Sequence, residues 1–123
     1  MVFVVTSMTH AHATSVSFAV TEDPILRHVV SFKFKAATSQ EKLNEIIAAF
    51  KALPQQILTI KAFEWGTNNS PEGLNKELTH CFLLSFESEE SRDAYLPHPA
   101  HKAFGAIAAP YIEDVFVIDY WVN

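Results

Sequence analysis

The stretch Val115-Phe116-Val117-Ile118-Asp119-Tyr120-Trp121-Val122 reads as a β-strand that is apolar on both faces, and the chain around Phe63 and Trp65 has the same character. Side chains alternate across a strand, so a sheet with one wet face shows polar residues at every second position. Strands that lack this alternation need cover on two sides. Helices of the same chain can supply one cover. A second copy of the sheet, brought in by a two-fold axis, is the commonest source of the other. The strand pattern therefore predicts a homodimer.

The remaining elements follow from periodicity and punctuation. Leu26 to Lys35 is the clearest strand, with His28, Val30, Phe32 and Phe34 on one face and Arg27, Val29, Ser31, Lys33 and Lys35 on the other. Thr38-Ser39-Gln40-Glu41 has the form of a capping box, with Thr38 and Glu41 as the reciprocal pair. The helix behind it carries Leu43, Ile46, Ile47, Phe50 and Leu53 at helical spacing and stops at Pro54. Ile57 to Thr67 reads as a second strand, followed by the loop Asn68-Asn69-Ser70-Pro71-Glu72-Gly73. Leu78 to Glu87 is a third strand, with His80, Phe82, Leu84 and Phe86 aligned. Ser88 caps a helix whose first turn holds Glu89 and Glu90; Pro97-His98-Pro99 interrupts it, and it resumes through Ala100 to Ala109. The order is β-α-β-β-α-β, a ferredoxin-like α+β plan. Residues 25–123 form this domain. Residues 1–24 form an N-terminal extension, in which Thr14 to Val20 alternates weakly enough to add at most an edge strand.

Composition removes several function classes. The 123-residue chain has a net charge of -5 and no Lys/Arg block, which argues against nucleic acid and anionic membrane surfaces as partners. It lacks the apolar run of about 18 residues that a membrane-spanning helix needs. One cysteine, Cys81, forbids an intramolecular disulfide and reads as a small buried hydrophobe. The stretch before Arg27 has no arginine and includes His10 and His12, a poor fit to a secretory signal, so the cytoplasm is the expected location. With three glycines there is no phosphate-cradling loop, and neither a G-x-S-x-G elbow nor a paired-cysteine zinc pattern occurs.

The ordered run of His28-Val29-Val30-Ser31-Phe32-Lys33-Phe34-Lys35, Glu64-Trp65-Gly66-Thr67-Asn68, Thr79-His80, Phe86-Glu87-Ser88-Glu89, Tyr95-Leu96-Pro97-His98-Pro99-Ala100-His101 and Val117-Ile118-Asp119-Tyr120 resembles the stress-responsive A/B barrel family from about Leu26 to Tyr120. The resemblance implies a ferredoxin-like subunit that pairs through its sheet into a dimeric α/β barrel. Many members of that family have no assigned reaction. One plant member is a polyketide cyclase that works by aldol condensation with a tyrosine and a histidine and no metal. Carried over, its catalytic pair corresponds to Tyr95 and His101, and two further histidine positions to His28 and His80. The resemblance leaves two expectations: a stress-responsive protein of unassigned reaction with a small apolar cavity, or a cofactor-independent cyclase or lyase acting on a carbonyl compound.

The residues themselves bear partly on this choice. His28 and His80 sit on otherwise apolar strand faces, where a buried imidazole is costly unless its nitrogens are bonded. With Tyr95 and His101 on the covering helix they can line one cavity and orient a ligand there. A histidine can then take a proton alpha to a carbonyl while a tyrosine stabilises the enolate. The bland alternative is that His98 and His101 serve the free backbone groups of a proline-broken helix, and that His28, His80 and Tyr95 are core residues. No acidic residue or cysteine completes a metal-ligand spacing with these histidines, and no metal or cofactor is expected.

Overall fold

The computed structural model describes residues 23–123. The expected N-terminal extension lies outside the described residues through residue 22, as does the weak strand expected at 14–20. Strand β1 (Leu26–Phe34) leads to helix α1 (Gln40–Lys51) and a short turn of helix, α2 (Leu53–Gln56). Strands β2 (Ala62–Thr67) and β3 (His80–Phe86) follow, then α3 (Glu89–Tyr95), α4 (Pro99–Ala108), a 3₁₀ turn at Ala109–Tyr111, and β4 (Ile112–Trp121). The four strands form one sheet in the order β2-β3-β1-β4, with antiparallel neighbours throughout. This is the ferredoxin-like α+β architecture that the order of elements predicts.

Local chemistry sets the element ends. The Ser39 hydroxyl accepts from the Lys42 amide at 3.1 Å and caps α1. The cap thus falls one residue later than the Thr38–Glu41 box. The Thr38 hydroxyl is instead buried without a hydrogen-bond partner among the described residues. Ser88 caps α3 as expected, accepting from the Ser91 amide at 3.0 Å. The second strand is shorter than the sequence suggests: Ile57 and Ile60 are buried but precede β2, as core residues of the segment that enters it.

One face of the sheet carries the core. Val30 and Phe32 from β1, and Phe82, Leu84 and Phe86 from β3, meet Ile46 and Phe50 from α1, Tyr95 from α3 and Phe104 from α4. Phe50 and Phe82 are stacked at 4.3 Å with 15° between their planes. No helix among the described residues lies over the opposite face. There Val29, Ser31, Cys81 and Leu83 lie beside Phe116, Ile118 and Tyr120, and Ile118 and Tyr120 are about half exposed. Cys81 is therefore exposed, contrary to its reading as a buried strand residue. It pairs with Ser31 of β1 and Gly66 of β2 on the uncovered side, where alternation puts every residue out of step with His80 and Phe82. On β2 the uncovered face is Ala62, Glu64 and Gly66, while Phe63 and Trp65 lie on the helix side, so this strand is not apolar on both faces as its sequence suggested. Strand β4 is two-sided: Val115 and Val117 face the helices yet remain 50% and 51% exposed, because the helices stop short of this edge strand. No helix among the described residues is long and apolar enough to cross a membrane.

Replacing Phe82, which is fully buried, with Ala should lower unfolding free energy by about 3–5 kcal/mol in a denaturant titration, the usual cost of an aromatic cavity.

Candidate functional site

The gap between the helices and β4 is a cavity of about 450 Å³. Its walls are Val30, Phe32, Phe50, Phe104 and Val117, and one end is polar, formed by His28, Asp119, Arg92, Tyr95 and His101. Three local features bring these groups together.

The first is the proline break. Pro99 stands in the first turn of α4, where its lack of an N–H costs nothing. His98 caps that helix: its Nδ1 accepts from the Ala100 amide at 3.0 Å. The chain turns between α3 and α4, leaving the Leu96 carbonyl outside any helix. The Nδ1–H of His101 donates to that carbonyl at 2.9 Å. This bond holds the His101 ring 4.4 Å from the Tyr95 ring, centroid to centroid. Because the carbonyl can only accept, the bond places the proton on Nδ1, and in the neutral ring Nε2 is the free acceptor.

The second is a cross-strand pair. His28 and Asp119 are register partners in β1 and β4 and share the helix-side face. His28 is 5% exposed, and its Nδ1–H donates to Asp119 Oδ1 at 2.7 Å. Its ring lies edge-on to Tyr95 at 5.8 Å and to Phe86 at 6.3 Å. A carboxylate half-removed from water needs partners on both oxygens. Arg92 supplies the second, donating from Nη1 to Asp119 Oδ2 at 2.9 Å, while its Nε donates to Asp93 Oδ1 at 3.0 Å.

The third is helical spacing: Arg92 and Tyr95 are three residues apart on α3 and share a face. Tyr95 is 1% exposed, and burial raises its phenol well above the ordinary tyrosine range. It therefore stays protonated and can donate. The end of the cavity thus runs from Arg92 through Asp119, His28 and Tyr95 to His101. Arg92 and Asp119 were not among the residues that the sequence singled out. The available signal was Asp119 itself, the one carboxylate within the apolar run Val115–Val122.

His80 is not brought to this cavity. It shares the helix-side face with Phe82 and Leu84, but its register partner is Phe32, four residues along β1 from His28. At about 3.3 Å per residue that is ~13 Å away. There the ring lies parallel to Trp65 at 6.3 Å, edge-on to Phe34 at 5.1 Å, and hydrogen-bonded through Nδ1 to the Thr79 hydroxyl at 2.8 Å. It borders a second, wider concavity of about 830 Å³ that extends onto the uncovered face beside Cys81, Leu83 and Phe116. Among the described residues no cluster of three or more His, Cys, Asp or Glu side chains could hold a metal ion.

Fold and site together define a ferredoxin-like α+β domain with a histidine- and tyrosine-ended cavity beneath its helices. Residues 26–122 match the family model described as "Stress responsive A/B Barrel Domain", and the chain belongs to that family. It is 40% identical over 95 residues to the stress-response A/B barrel domain-containing protein HS1 of Arabidopsis thaliana, covering 77% of this chain and 87% of that one. It is 27% identical over 95 residues to olivetolic acid cyclase of Cannabis sativa, covering 77% and 94%. Among solved structures, hydroxynitrile lyase of Passiflora edulis superposes with a TM-score of 0.75 at 28% identity, covering 80% of this chain and 94% of that one. A dimeric ferredoxin-like protein of unknown function from Thermobifida fusca shares the fold, with a TM-score of 0.70 at 23% identity and 82% and 93% coverage.

Burial lowers the His80 proton affinity from its ordinary value of 6.5. The folded state then binds this proton less readily than the unfolded chain, so stability falls as pH drops through and below that value. Melting temperatures recorded from pH 7.5 to 5.5 should decline less steeply for His80→Phe than for the wild type; parallel curves would refute the assignment.

Proposed function

We propose that this chain works in the cytoplasm as a homodimer whose cavity binds a small, largely apolar carbonyl compound and runs acid–base chemistry on it, in the manner of a cyclase or lyase. The observation that carries this reading is the His101–Tyr95 contact at the end of an open cavity. His101 spends Nδ1 on the Leu96 carbonyl and keeps Nε2 for a ligand. Tyr95 is kept protonated by burial, ready to donate to an oxygen that gains charge. In the proposed step His101 removes a proton alpha to the carbonyl, Tyr95 stabilises the enolate oxygen, and His28 orients the substrate. Such general-base assistance is typically worth roughly 10²–10⁴-fold. The relatives named a cyclase and a lyase support a reaction of this class, while HS1 is named only for the stress response.

The same bond favours a second reading, a stress-responsive scaffold in which His101 staples the helix break. The two readings separate cleanly. In crystals soaked with an aromatic polyketide analogue, the catalytic reading expects density within hydrogen-bond reach of both Tyr95 and His101. It also expects His101→Ala to melt within a few degrees of the wild type while losing ligand binding. An empty cavity, together with a His101→Ala protein destabilised by several kcal/mol, would favour the scaffold.

The dimer is supported by the uncovered sheet face and by the dimeric fold neighbour. Residues 25–123 carry that pairing, and residues 1–24 are a separate extension. Ile118→Lys places a charge at the centre of the uncovered face beside Val29. Sedimentation equilibrium should return a dimer mass for the wild type and a monomer mass for the variant; a dimeric variant would move the interface elsewhere.

A further inference from the structure

Both imidazoles at the cavity end spend the same nitrogen on an acceptor that has no proton to give. His101 Nδ1 faces the Leu96 carbonyl, and His28 Nδ1 faces the Asp119 carboxylate. In their neutral forms both rings must therefore carry the proton on Nδ1 and present Nε2 as a lone pair. Neither Nε2 has a hydrogen-bond partner among the described residues. Both rings pack against Tyr95, at 5.8 and 4.4 Å, so one small molecule can span them.

For His101 the acceptor is backbone and cannot change. For His28 it is a side chain, and Arg92 governs how that side chain is set. The guanidinium only donates, and it holds Asp119 Oδ2 at 2.9 Å while Oδ1 is left for His28. The Arg92 Nε contact to Asp93 fixes the fork from the other side.

We propose that Arg92 is a positioning residue of this site: acting through Asp119 it fixes the His28 ring so that Nε2 faces the cavity as an acceptor, and the site selects ligands that donate there through a hydroxyl, enol or phenol. This rests on the cavity being a ligand site and adds the class of ligand it takes. A compound that only accepts, such as an ether or a simple ketone, would meet lone pairs at both histidines and leave them unpaired, which costs affinity.

The tautomer can be read with no ligand present, in long-range proton–nitrogen correlation spectra of protein labelled in histidine, at about pH 8 where imidazoles are ordinarily neutral. His28 of the wild type should show the Nδ1–H form. In Asp119→Asn, Arg92 should draw the amide oxygen to itself and turn the amide NH₂ toward His28. Nδ1 must then accept, and the proton moves to Nε2. Adding Arg92→Met to that variant frees the amide to turn back, so the double variant should recover the Nδ1–H form. A wild-type His28 in the Nε2–H form, or an Asp119→Asn spectrum identical to the wild type, overturns the proposal. If Asp119→Asn does not fold, the wild type still decides through a pair of ligands: phenol should bind roughly three- to tenfold more tightly than anisole in a chemical-shift titration, the worth of about one hydrogen bond. Equal binding of the two overturns the selectivity. Binding of neither, beside an Nδ1–H signal for His28, overturns the cavity as a ligand site and leaves the positioning role standing.

Discussion

The proline break between α3 and α4 is the constraint on which the site depends. A continuous helix from Glu89 to Ala108 would set Tyr95 and His101 about 120° apart around its axis and about 9 Å apart along it. Pro99 ends that possibility because it has no amide to give to an i−4 carbonyl. The chain turns, His98 satisfies an amide at the new helix start, and His101 satisfies a carbonyl left behind by the old helix. The result is a rigid corner with two aromatic side chains in contact. His101 divides its two nitrogens at this corner. One nitrogen holds the backbone and the other remains available.

The second determinant is the Asp119 carboxylate in an apolar strand. Burying it beside His28 without Arg92 would leave one oxygen poorly paired in a low-dielectric setting. With Arg92 in place, each oxygen has a donor, and three elements, β1, β4 and α3, are tied at one point. That knot lies at the polar end of an otherwise aromatic and aliphatic cavity. A ligand entering it would desolvate little that is not already bonded, apart from the free histidine nitrogens and the Tyr95 hydroxyl.

The fold was legible in the sequence because each element carries its own period and its own stop. His28, Val30 and Phe32 announce a strand face; Ser88 with Glu89 and Glu90 announces a helix start. What a period of two cannot give is register. His28 and His80 were correctly placed on the helix-side face, yet only the pairing of Phe32 with His80 and of Leu84 with His28 puts them at opposite ends of it. Cys81 failed for a related reason: its neighbours Phe82 and Leu84 mark the face opposite to its own. Arg92 was illegible because a lone arginine in a polar helix turn looks like solvent-facing charge. Only the register of β4, which carries Asp119 up to His28, gives it a partner and a purpose.

The half-exposed edge strand connects the two proposals about this chain. Val117 is a wall of the cavity on one side of β4, and its neighbours Phe116 and Ile118 belong to the uncovered face on the other. A partner laid on that face would fix the strand that carries Asp119, and through Asp119 the His28 ring. Assembly and site would thus be joined by three consecutive residues, Val117-Ile118-Asp119, with alternating duties. A run that is apolar on both faces, Val115–Val122, the feature most evident in the sequence, is what such a double role would require: one face for a copy opposite, the other for a ligand, and Asp119, the one charged residue in the run, to anchor the chemistry between them.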